Sequence, residues 1–168
     1  MLLSSQAITD TSPDMRTVQL YFNYLTLIVT TAWAGGLWAV GYLAVPVLFY
    51  AQPDRQLAGM LAGQMFTLVA YVGIACGGFL LIQHIVQFGR ASMRRSTFWI
   101  VVTMLLTTLL MQYIIQPAMA DLKIQAMPLD VMQSQLAGQF KTMHGISSII
   151  YLTQSLLGIF LIVKIQRA

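Results

Sequence analysis

Four long stretches of the chain, 17–53, 56–89, 96–120 and 142–163, contain no Lys, Arg, Asp or Glu. Each is mostly apolar, and each exceeds the roughly 20 residues that a helix rising 1.5 Å per residue needs to cross a hydrocarbon core. A charge at bilayer centre costs about 2.5–3.5 kcal/mol on insertion scales, so four uncharged windows in succession read as selection by lipid. The pattern predicts helices over about 18–50, 64–88, 96–119 and 139–164. A polar tail, 1–19, precedes a four-helix transmembrane domain, 20–165. The expected fold is all-α: an integral membrane four-helix bundle.

Finer pattern sits inside that frame. Pro46 and Pro117 fall near the same end of helices 1 and 3, where a missing N–H should kink or loosen the last turn. Gln52-Pro53-Asp54 ends the first helix, and a short amphipathic piece is expected from Asp54 into Gly63. Gly59/Gly63 and Gly73/Gly77 are small-xxx-small pairs, which allow close helix approach in lipid. Leu61-Ala62-Gly63-Gln64 and Leu136-Ala137-Gly138-Gln139 open helices 2 and 4, each with an aromatic after it and a proline-bearing helix before it. The spacing suggests two pseudo-repeated helical hairpins related by an axis along the membrane normal.

Composition narrows the function classes. The 168 residues are 58% hydrophobic, and four spans leave no room for a separate soluble domain. The net charge of +4 is too thinly spread for nucleic acid binding. It orients the chain instead. Arg16, Arg90, Arg94, Arg95, Lys164 and Arg167 fall on one side, and Arg55, Lys123 and Lys141 on the other. The positive-inside rule places both termini and the short 89–96 loop in the cytoplasm. Residues 1–20 lack the layout of a signal peptide. Cys76 lies within a span and has no partner for an intrachain disulfide.

Candidate chemistry is sparse. Polar side chains inside the spans recur at helical spacing: Asn23, Thr26 and Thr30; Thr108, Gln112 and Gln116; His144, Ser147, Ser148, Tyr151 and Ser155. They line a solute path, or they bond between helices and back to their own backbone. His84 and His144 fall at opposite depths, about 25 Å apart at helical rise, so one metal or haem iron within a subunit cannot take both. His84 reads as an interfacial polar residue beside Gln83 and Gln87. The eleven methionines show no Met-x-x-Met or Met-x-x-x-Met pair within a span and read as packing. No Glu occurs, no Asp lies within a span, and no hydrolase, phosphate-loop, zinc or dinucleotide motif is present. No cofactor is expected.

One ordered set of segments carries a resemblance: Leu37-Trp38, Pro46-Val47-Leu48-Phe49, Ala58-Gly59, Gly63-Gln64-Met65-Phe66, Gln112 through Met119, and Phe140 through Ser148. Together they resemble the bacterial "domain of unknown function 4149" family, whose pattern is shared with eukaryotic transmembrane protein 205. Tyr151 stands where that pattern usually has Asn. The resemblance implies a four-helix membrane fold, and the eukaryotic relative's link to platinum-drug resistance implies transport or trafficking. A more distant likeness to copper-resistance domains and to a haem-binding protoporphyrinogen oxidase rests on Trp33-Ala34-Gly35-Gly36-Leu37; no histidine lies upstream between Tyr24 and Thr31.

Every segment of the set maps to the outer leaflet. The expected site is therefore a periplasm-facing one built from Pro46, Phe49, Gln64, Gln112, Gln116, Pro117, His144 and Ser147, with any metal unassigned. The expected role is solute or metal-related transport or resistance. The alternatives are a non-catalytic accessory subunit of a membrane complex and, third, a haem-dependent oxidoreductase. The partners are the lipid bilayer and either further copies of the chain or a membrane complex. A pore through only four helices would be narrow, so transport is expected to need an oligomer.

Overall fold

The computed structural model describes residues 13–166, with side-chain surroundings from Thr17 onward. Most of the expected polar tail lies outside the described residues, as do Arg167 and the side chain of Arg16, both used in the charge count.

Four long helices form a ring in chain order. Helix 1 is α-helical over Pro13–Trp38, π-helical over Ala39–Ala44 and α-helical again over Val45–Ala51. Helix 2 is continuous over Arg55–Phe88. Helix 3 runs through Ser96–Leu110, a π segment at Met111–Ile115, and Gln116–Ala126. Helix 4 spans Ala137–Gln166. All four are long and apolar enough to cross a membrane, and no strand occurs among the described residues. Each helix packs beside the next, and helix 4 closes back onto helix 1. The connections 52–54 and 127–136 lie at one end, called distal below. The turn at Gly89–Arg94 lies with Pro13 and Gln166 at the proximal end.

Three boundaries differ from the sequence reading, the first being helix 1, which begins at Pro13 and takes in the last seven residues of the expected polar tail. Helix 2 begins at Arg55, because Asp54 caps it: its Oδ1 accepts from the amides of Gln56 at 2.9 Å and Leu57 at 3.1 Å. The expected amphipathic piece is therefore the first turns of helix 2. Helix 3 continues through Pro117 to Ala126 and stops before Pro128, whose ring disfavours helical backbone at the residue ahead of it.

The prolines act differently from a simple loosening of a last turn. A proline inside a helix lacks its N–H and crowds the carbonyl four residues back. Here a π segment precedes each, and Pro46 and Pro117 take the second position of the α-helical run that follows. The wider π turn absorbs the mismatch, and the helix continues. The repetition of this device in helices 1 and 3 gives the two-hairpin sequence pattern a backbone counterpart.

The buried centre is a layer of Trp33, Met104 and Leu161, each 1% exposed or less. The Trp33 indole lies across Gly73 and Gly77. A Cβ on Gly73 would stand 2.6 Å from its Nε1, and one on Gly77 would stand 2.9 Å from its Cη2. That glycine pair, expected to bring two helix backbones together, instead seats a tryptophan. Close approach occurs between helices 1 and 4, where a Cβ on Gly158 would meet the Ala34 Cβ at 3.2 Å. Outward faces are apolar: Leu43, Leu68, Ile82, Leu106 and Ile149 are all exposed. Lipid is as apolar as these side chains, so they have no drive to turn inward. Gly89 ends helix 2 at φ +53°, a conformation costly for any other residue.

Candidate functional site

A cavity of about 850 Å³ lies between the helices in the distal half. Trp33, Thr108 and Gln154 form its deep end, and Arg55, Lys123, Asp130 and Lys141 lie at its rim. Of the eight residues expected at a site, Phe49, Gln112, Gln116, His144 and Ser147 line this cavity. Pro46, Gln64 and Pro117 are exposed and lie off it. The prolines shape the helices rather than the wall.

Helix 4 presents one edge of the cavity through its polar stripe. Ser147 and Ser148 donate back to the His144 carbonyl, both at 2.8 Å, and the His144 ring stacks nearly parallel to Phe140 at 6.1 Å. Tyr151 reaches across the bundle and donates to the Leu37 carbonyl, just before the π segment of helix 1. Its ring crosses Gly41 so closely that a Cβ there would stand 2.3 Å from Cε1. Phe66 packs edge-on against the same ring at 5.3 Å, so Tyr151 joins helices 1, 2 and 4.

Below it, Tyr42 donates to Ser155 at 3.1 Å. Gln154 bonds Thr108, and it also bonds the Met104 carbonyl at 3.3 Å. The two sequence readings of the polar stripes therefore apply at different positions. Thr108 and Ser155 join helices, while Gln112 turns to the cavity with its Oε1 buried and unbonded.

Charge is segregated around this cavity. All three basic residues of the distal end line it, while Asp130 is the one carboxylate of Asp54, Asp121 and Asp130 that does. Asp130 also accepts from the Met132 amide at 2.7 Å, fixing it as a cap. Lys123 is half-buried; its Nζ donates to the Gly59 carbonyl at 3.1 Å and sits 5.6 Å from the Phe140 ring centre. The rim is net positive and the wall beneath it largely apolar, so the arrangement suits an anion with an apolar body better than a cation.

A second cavity, of about 560 Å³, lies in the proximal half. Asn23, Gln83, His84, Gln87 and Arg95 line it. The Gln83 amide donates to Thr26 and to the Phe22 carbonyl, and its Oε1 is buried without a partner, as is His84 Nε2. The His84 ring lies between Phe88 and Phe98, and the Arg95 guanidinium sits 3.6 Å above the Phe88 ring. His84 therefore shares a polar cavity that the sequence reading, which took it as an interfacial residue, does not anticipate. The two histidines line opposite cavities. Among the described residues, no three His, Cys, Asp or Glu side chains gather as a metal would require.

The two cavities share no lining residue. On helix 3, Thr108 of one and Val101 of the other are seven residues apart, about 10 Å at helical rise. The Trp33, Met104 and Leu161 layer fills that interval. Sequence reasoning used Arg55, Lys123 and Lys141 for orientation alone, and it gave Trp33 no place in a site. The available signal was position: each cation stands within two or three helical turns of a residue in the expected site.

The family described as Domain of unknown function (DUF4149) matches residues 28–128. No curated protein and no solved structure matches the chain. The matched segment runs from helix 1 to Pro128 and includes both π-proline turns and the glycine seat of Trp33; helix 4, with His144 and Ser147, lies beyond it. Because the match covers more than half of its length, the chain belongs to the DUF4149 family.

Proposed function

We propose that the protein passes an organic anion across the bacterial inner membrane, with its distal cavity open to the periplasm and both termini in the cytoplasm. One observation carries this reading: two cavities occupy opposite halves of a single bundle, and one buried layer divides them. A purely structural bundle needs no such voids, since membrane helices gain their stability by close packing. Both cavities contain basic side chains and amides, and each has a buried amide oxygen without a partner. Both cavities belong to one bundle, so the route needs no second subunit.

Proteoliposomes loaded with benzenesulfonate test the reading. Efflux should exceed that of protein-free vesicles, and Trp33→Ala, which opens the dividing layer, should raise it severalfold. Tetramethylammonium should remain inside. Efflux equal to that of empty vesicles for both proteins would leave the accessory-subunit reading in place.

A further inference from the structure

We infer that the distal cavity binds a single-chain amphiphile with a carboxylate head, the chemistry of a long-chain fatty acid. The inference rests on the proposed passage of organic anions and names the class that this site would take. Shape is the first argument. Lys123 at the rim and Thr108 at the deep end stand fifteen residues apart on helix 3, which is about 20 Å at helical rise. A volume of about 850 Å³ spread over that depth makes a slot rather than a round chamber. An extended chain fits a slot, whereas a compact polar solute would leave most of it empty.

The second argument is the order of chemistry along the slot. Arg55, Lys123 and Lys141 meet the head at the rim. Phe66 and Met111 follow at lower levels and offer apolar contact to a tail. Gly63 also lines the wall, and a Cβ added there would meet nothing within 4 Å. Each methylene that leaves water adds to binding, so a long tail supplies affinity while the rim supplies head-group selection. A free inorganic anion would gain nothing from this wall.

Native mass spectrometry of the purified protein tests the inference, with palmitate, palmitate methyl ester and phosphatidylglycerol as probes. Palmitate should bind one per chain, and the ester at least tenfold more weakly. Phosphatidylglycerol, the double-chain membrane source of the same charge, should not displace palmitate. The variant R55Q/K123Q/K141Q should lose at least tenfold in palmitate affinity. Gly63→Phe, which fills the wall, should abolish binding even with the rim intact. Equal binding of acid and ester, or wild-type affinity in the triple variant, would overturn the head-group assignment. Displacement by phosphatidylglycerol at equal concentration would overturn the single-chain assignment. Benzenesulfonate efflux without palmitate binding would sink the ligand class alone. Palmitate binding without any efflux would sink passage and keep the site.

Discussion

Tyr151 is where several constraints meet on one side chain. Its hydroxyl bonds a backbone carbonyl of helix 1, its ring covers Gly41, and Phe66 holds its edge. The glycine is required by this contact, since a methyl group at position 41 would overlap the ring. Gly41→Ala should therefore cost about 1–3 kcal/mol, the usual penalty for overpacking a fitted site. Gly35→Ala is the control, because nothing stands within 4 Å of its added Cβ. Tyr151→Phe keeps the ring and removes one hydrogen bond, so it should cost about 1 kcal/mol. Thermal unfolding in detergent would rank the three, with Gly41→Ala lowest and Gly35→Ala near wild type. An equal loss at both glycines would show that helix geometry, not the tyrosine contact, fixes position 41.

At the level of elements, the helices were legible because lipid imposes a coarse rule that a sequence displays openly. Uncharged windows locate the spans, but they do not report a cap. Asp54 lengthens helix 2 backwards by local hydrogen bonds that hydropathy does not register. Nor do they distinguish a proline that ends a helix from one that a π turn accommodates, as at Pro117. The site was legible in part for the same reason. Gln112, Gln116, His144 and Ser147 stood out as polar residues in apolar surroundings, while the Trp33 seat and the rim cations depend on contacts between distant segments.

The π-proline turns also lead to a prediction. A π segment inserts an extra residue into the α-helical turn, and such turns are frequent at functional sites. Pro117→Ala restores an N–H and removes the clash that favours the π turn. The variant should be at least as heat-stable as wild type, yet benzenesulfonate efflux should fall severalfold. Unchanged efflux with raised stability would mean that the π turn serves only to carry the proline.

For the whole molecule, the same three cations carry two roles that experiment can separate. Arg55, Lys123 and Lys141 count against the six basic residues of the other side in the positive-inside balance, so for topology they work in the wrong direction. A chain shaped by orientation alone would gain from losing them. Their convergence on one cavity supplies a reason to keep them. Neutralising all three leaves Arg90, Arg94, Arg95 and Lys164, with Arg16 and Arg167, as the basic residues outside the spans. The R55Q/K123Q/K141Q variant should therefore insert with both termini in the cytoplasm at least as uniformly as wild type. It should also lose the preference for benzenesulfonate over a neutral solute of the same size. A reporter fused after Ala168 reads the first outcome, and vesicle efflux of benzenesulfonate against benzyl alcohol reads the second. A periplasmic reporter in the wild-type protein would reverse the proposed orientation outright. Mixed orientation in the variant alone would show that the distal cations help to fix topology. Retained anion preference in a correctly oriented variant would move selectivity away from the distal rim, to Arg95 and the proximal cavity.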